Sequence, residues 1–185
     1  MKKLCIITGG PGAGKTALLD ELQRRGFQTV PEEGRRIIKE QIALNGNGLP
    51  WLNKKYFAEL MFNASLERFQ EINSGADSKI IFFDRGILDT SGYLKLENIP
   101  VSEEMQIKSA EMIYHKNVFI LPPWKEIYEN DQERKQTFEV AVSTFYCIKE
   151  IYLAYDYHVI EVPKGTVEKR ADFILETIKV NQMFL

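Results

Sequence analysis

Residues 9–16 read Gly-Gly-Pro-Gly-Ala-Gly-Lys-Thr, a match to G-x-x-x-x-G-K-[ST]. They lie between an apolar run at 4–8 and a helical pattern at 16–24. Glycines let a short loop turn tightly, so that successive backbone N–H groups point inward at phosphate oxygens. The helix that leaves the loop adds the positive end of its dipole. The motif therefore demands a strand before it and a helix after it, and the chain supplies both. Gly9, Gly10, Pro11, Gly12, Ala13, Gly14, Lys15 and Thr16 are the expected cradle for ATP or GTP. Within it, Lys15 reaches the β- and γ-phosphates and the Thr16 hydroxyl ligates Mg²⁺.

The rest of the chain repeats the alternation that the motif begins. Strand-like runs at 4–8, 27–31, 79–84, 117–121 and 158–162 are separated by helical patterns. Several runs are apolar throughout, as expected of strands covered on both faces. Phe138, Ala141, Val142, Phe145, Ile148, Tyr152 and Tyr155 keep helical spacing, as do Val167, Ala171, Ile174, Leu175 and Ile178. Phe62, Leu66, Phe69 and Ile72 mark another helix, and Ile37, Ile38 and Ile42 a shorter one. This order predicts a parallel sheet with helices on both faces. A length of 185 residues fits one domain, 1–185, which buries roughly 70% of its unfolded surface. Asn45-Gly46-Asn47-Gly48-Leu49-Pro50 predicts a surface loop.

Composition excludes little but narrows the partners. A formal charge of −2 gives no net pull toward nucleic acid or anionic membrane. No apolar stretch approaches the ~20 residues of a membrane span. The apolar run behind Met1-Lys2-Lys3 is too short for a signal peptide and ends in the glycine-rich loop. The two cysteines, Cys5 and Cys147, read as free thiols, and a cytoplasmic location is expected. His115 and His158 read as structural.

Three further segments carry candidate chemistry. Asp84 closes the run Ile80-Ile81-Phe82-Phe83, where a nucleotide-binding sheet places a carboxylate near the Mg²⁺ shell. The next residue is Arg85 rather than a water-positioning glutamate, and a guanidinium clamps phosphate but does not activate water. That favours transfer to a bound acceptor over hydrolysis. Val30-Pro31-Glu32-Glu33-Gly34-Arg35-Arg36 follows the second strand, at the sheet edge where ligands collect. Glu33 is the candidate base for an acceptor hydroxyl. Asp131-Gln132-Glu133-Arg134-Lys135 is a polar segment after the fourth strand, suited to a lid that brings Arg134 over the phosphates. Thr166, between the fifth strand and the last helix, completes the candidate nucleotide contacts. Asp89-Thr90-Ser91-Gly92 fits D-x-x-G but falls past the strand end, inside an expected helix, and Asn53-Lys54-Lys55-Tyr56 lacks the aspartate of N-K-x-D. A regulatory GTPase is not indicated.

Taken together, I-T-G-G-P-G-A-G-K-T, V-P-E-E-G-R-R-I-I, L-P-W, F-F-D-R-G and L-P-P-W-K-E-I-Y-E-N-D-Q-E-R resemble the small AAA-domain ATP/GTP-binding proteins related to the nicotinamide riboside kinase domain. The resemblance spans essentially the whole chain. It implies a P-loop kinase-like α/β fold with five parallel strands in the order 2-3-1-4-5. The Asp84-Arg85 pair is also similar to the D-R motif of deoxynucleoside and thymidylate kinases. The chain has neither the length nor the second acid of an AAA+ motor. The expected function is Mg²⁺-dependent phosphorylation of a small metabolite, nucleoside- or nucleotide-like. Its acceptor pocket would be lined by the loop at Leu49, Pro50 and Trp51. The alternative is an ATP- or GTP-dependent binding switch or NTPase without a small-molecule acceptor.

Overall fold

The computed structural model describes residues 3–74, 79–128 and 137–180. Five strands, β1 (Lys3–Gly9), β2 (Gln28–Val30), β3 (Ile80–Asp84), β4 (Asn117–Leu121) and β5 (His158–Glu161), form a parallel sheet in the order β2-β3-β1-β4-β5. The expected order is the observed one. Seven helices connect and flank the strands among the described residues. They are α1 (Lys15–Arg24), α2 (Glu33–Ala43), α3 (Lys54–Asn73), α4 (Leu88–Leu96), α5 (Glu103–Glu111), α6 (Phe138–Ala154) and α7 (Val167–Val180). A 3₁₀ turn, Lys125–Ile127, follows β4.

Alternation along the strands divides the interior into two cores. Cys5, Ile7, Phe82, Phe119 and Leu121 face one side, where Leu18 and Leu22 of α1 meet Ala171, Ile174 and Ile178 of α7. Leu4, Ile6, Ile81, Phe83, Val118 and Ile120 face the other, covered by Phe62 and Phe69 of α3, Leu88 and Leu94 of α4, and Phe145, Ile148 and Tyr152 of α6. Strands buried on both faces need apolar residues at every position, which is why they read as unbroken runs. Cys5 is a buried free thiol and Cys147 a partly buried one. No described helix is long and apolar enough to cross a membrane.

Two elements depart from the simple sequence pattern. Helix α5 buries only Met105 and Ser109, so it offers almost no apolar stripe; it is fixed instead by the Ser102 hydroxyl, which accepts from the Met105 N–H. Helix α4 is the reverse case, burying Asp89, Thr90, Ser91 and Gly92. Small side chains there let α4 lie close to α6, where a Cβ on Gly92 would stand 2.9 Å from Ile148 Cγ1.

Candidate active site

All five strands run parallel, so their C-terminal ends collect on one edge, and Lys15, Asp84 and Arg85 gather there. The loop after β1 turns through Gly14, whose φ of +81° lies in the left-handed region. A side chain at Gly14 would also start 2.9 Å from a guanidinium nitrogen of Arg170. Lys15, the first residue of α1, is buried and folds back over the loop, donating from Nζ to the carbonyls of Gly9 (3.1 Å) and Gly10 (3.0 Å). Burial and the neighbouring Arg85 charge push its pKa down to about 8, against the pull of Asp84, Glu32 and Asp89. Thr16 is exposed at the start of the same helix. The ring of Tyr128 lies against Gly12 on the outside of the loop.

Asp84 ends β3 beside this loop, in register with Ile7. Burial raises its pKa, and the Lys15 charge opposes that rise. Its Oδ1 is buried and has no hydrogen-bond partner among the described residues. An orphaned carboxylate oxygen is costly in an interior, and it fits a cation bound alongside. Among the described residues no group of three or more His, Cys, Asp or Glu side chains could hold a metal on its own. Mg²⁺ needs no such group, since it takes one or two protein oxygens and completes its shell with phosphate and water. The open Asp84 oxygen therefore fits such an ion.

Arg85 follows with a φ of +73°, and its N–H donates to the Ile7 carbonyl at 3.0 Å. The turn sends its guanidinium back across β1. There Nη1 donates to the Gly9 carbonyl and to Asp89 Oδ1, both at 3.1 Å, while Nε lies 3.2 Å from Glu32 Oε1. Burial alone would lower the Arg85 pKa, but Glu32, Asp89 and Asp84 hold it above its ordinary value. Burial likewise pushes Glu32 up, yet the Arg85 and Lys15 charges outweigh it and keep that carboxyl below the usual range.

The structure brings Lys15, Asp84 and Arg85 together and leaves Glu33 outside. Glu32 precedes α2 with an extended backbone and faces the cluster, whereas Glu33 is the first residue of the helix. The Glu33 carboxylate accepts from Arg36 Nε at 2.5 Å and Arg68 Nε at 3.3 Å, tying α2 to α3. Two adjacent acids at a helix start look alike in sequence, and only the turn of backbone between them separates their roles. Thr166 is exposed at the head of α7, where its hydroxyl accepts from the Lys169 N–H at 3.4 Å. Leu49 is buried and Trp51 is 62% exposed. Arg134 and the segment 131–135 lie outside the described residues.

Two features carry roles that the sequence did not assign. The first is Asp89, buried at the centre of the Arg85 contacts. Arg85 precedes α4 with a left-handed φ, so the four-residue spacing to Asp89 is not helical and no sequence pattern signals the contact. The second is a shallow crevice beside the loop, lined by Ala13, Pro122, Trp124, Val162, Pro163, Lys164 and Arg170. Arg170 is buried, donates to the Ala13 carbonyl at 3.3 Å and lies 5.7 Å from the centre of the Trp124 ring.

A family model described as "AAA domain" matches residues 4–170. The chain belongs to this AAA domain family. No curated protein matches it. Among solved structures, this family member is similar to deoxyadenosine kinase from M. mycoides with dCMP and dCDP, at 17% identity and a TM-score of 0.65, over 97% of this chain and 100% of that one. It is similar to the NadR protein in complex with NR, at 20% identity and a TM-score of 0.67, over 96% of this chain and 50% of that one. Thymidylate kinase from Ehrlichia chaffeensis aligns at 20% identity with a TM-score of 0.62, over 98% of each chain. At these identities the likeness establishes a P-loop kinase fold.

Proposed function

We propose that this AAA domain protein is a Mg²⁺-dependent phosphotransferase that moves the terminal phosphoryl group of ATP or GTP to a hydroxyl of a small, nucleoside- or nucleotide-like acceptor. One observation carries the reading: Glu32, Arg85, Lys15 and Asp84 converge at the mouth of the phosphate loop, with an arginine and an adjacent carboxylate where a hydrolase needs a water-positioning acid. Structural neighbours solved with dCMP, dATP and NR, and a shikimate kinase with shikimate, support the small-metabolite class.

In this reading the loop N–H groups and Lys15 hold the β- and γ-phosphates, which replace the Gly9 and Gly10 carbonyls as Lys15 partners. Bound Mg²⁺ would neutralise charge on the phosphate oxygens, with Thr16 and the open Asp84 Oδ1 as its protein contacts. The nucleoside end lies across the crevice at Trp124 and Arg170, which shares Ala13 with the loop and has Thr166 one helical turn from Arg170. Glu32, kept ionised by Arg85 and Lys15, accepts a hydrogen bond from the acceptor hydroxyl and takes its proton as the oxygen attacks the terminal phosphorus and the nucleoside diphosphate leaves, the role that sequence alone gave to Glu33. Arg85 stabilises the charge on the transferring group, as fixed cations do in phosphoryl transfer.

The experiment is a thermal-shift screen of nucleosides, nucleotides and pyridine ribosides in the presence of Mg²⁺ and a non-hydrolysable triphosphate. A ligand that binds the folded state raises the midpoint by mass action. The reading expects at least one ribose-bearing compound to add a shift beyond that of triphosphate alone. A shift with triphosphate that no acceptor increases would favour a nucleotide-dependent switch.

A further inference from the structure

The carboxylate of Asp89 is only 6% exposed, in a helix that packs between α3 and α6. A buried carboxylate is tolerated where its lone pairs are used. Four donors meet it, from β1, from the turn after β3 and from α6. Oδ1 accepts from the Thr8 hydroxyl at the end of β1 and from Arg85 Nη1. Oδ2 accepts from the Gly86 N–H at 2.9 Å and from the Tyr152 hydroxyl of α6 at 2.7 Å. Two hydroxyls and one amide thereby fix the orientation of the carboxylate and leave one direction for the guanidinium.

The backbone is arranged to the same end. Arg85 holds a left-handed φ that an L residue adopts at a cost, and such positions persist where the surroundings over-determine them. Gly86 beside it has no room for a side chain, since a Cβ would stand 2.5 Å from Ile6 Cδ1 and 2.7 Å from the Tyr152 hydroxyl. The turn thus presses against Tyr152, and Tyr152 in turn holds Asp89. With Nη1 shared between Gly9 and Asp89 and Nε facing Glu32, Nη2 makes no hydrogen bond among the described residues.

We propose that Asp89 is a positioning residue: it fixes the Arg85 guanidinium at the loop mouth so that its free edge meets the terminal phosphate. The Thr8 and Tyr152 hydroxyls set the carboxylate for that task. This rests on the phosphoryl-transfer reading above, in which Arg85 grips the group being transferred. A carboxylate that only stabilised the fold would affect all ligands alike. One that positions Arg85 acts on the terminal phosphate alone.

The test is calorimetric and needs neither turnover nor a known acceptor. Affinities of the Mg²⁺ complexes of ADP and a non-hydrolysable ATP analogue are measured for wild type, Asp89→Asn, Arg85→Ala and the double variant. Asp89→Asn is expected to leave ADP affinity within about twofold and to lower the triphosphate-to-diphosphate ratio by about tenfold. The double variant should then be no worse than Arg85→Ala, because the two act as a unit. Equal weakening of both ligands, an unchanged ratio, or additive losses in the double variant would overturn the proposal, as would a wild-type ratio near one. Wild type that binds neither nucleotide would instead remove the phosphotransferase reading, and this inference with it. Should Asp89→Asn not fold, Tyr152→Phe keeps the carboxylate and removes one donor. It should lower the ratio by about twofold to threefold, and an unchanged ratio there would count against the proposal.

Discussion

Lys15 gives the site a pH signature that can be worked out in advance. Its folded pKa is pushed down to about 8, chiefly by burial, from an ordinary 10.5. A shift of that size corresponds to about 3 kcal/mol of penalty on the charged amine. Below pH 8 both folded and unfolded chains hold the proton, and the penalty is fully present. Between about 8 and 10.5 the unfolded chain holds more protons than the folded one, so this group makes stability rise with pH. A triphosphate reverses the balance, because its anionic oxygens favour the ammonium form. If bound nucleotide restores an ordinary pKa, binding takes up about three quarters of a proton at pH 8.5 and about a tenth at pH 7. Titration calorimetry in buffers of different ionisation enthalpy reads that number as the slope of observed heat against buffer heat. Affinity should fall as pH rises above 8, and Lys15→Met should bind more weakly and abolish the uptake. Heats at pH 8.5 that do not depend on the buffer would refute the reasoning.

Other perturbations separate neighbouring carboxylates. Asp84→Asn keeps shape but removes charge from the buried oxygen, so nucleotide should still bind while Mg²⁺-dependent turnover falls by orders of magnitude; a wild-type rate and Mg²⁺ dependence would reduce Asp84 to a structural role. Glu32→Gln should slow transfer by about 10² or more with little change in melting temperature. Glu33→Gln should do the opposite, costing about 1 kcal/mol, since its arginine partners are partly exposed, and lowering the midpoint by ~2–4 °C at normal turnover. Paired kinetics and melting curves check both, and exchanged phenotypes would assign the base to Glu33 instead.

The sheet was legible because both of its faces are covered: stretches such as 80–83 and 118–121 had to be apolar throughout. The phosphate loop was legible because the geometry of a nest of N–H groups admits few sequences. What escaped detection did so for physical reasons. Helix α5 lies against the fold with two buried side chains, too few to leave a periodic stripe. Helix α4 hides Asp89, Thr90, Ser91 and Gly92, a composition that reads as surface until the close approach of α6 is known. Glu32 and Glu33 differ by a single step into a helix, which no local pattern resolves. The crevice at Trp124 and Arg170 joins residues far apart in the chain, and neither side chain announces the other.

The central claim is phosphoryl transfer rather than hydrolysis, and one assay addresses it directly. Terminally labelled ATP and GTP are incubated with the protein, Mg²⁺ and the acceptors that raise its melting temperature, and the labelled products are separated. Phosphoryl transfer predicts acceptor-dependent label in an organic phosphate, lost in Arg85→Ala and strongly reduced in Glu32→Gln. Label released only as inorganic phosphate, at a rate indifferent to every acceptor, would contradict it.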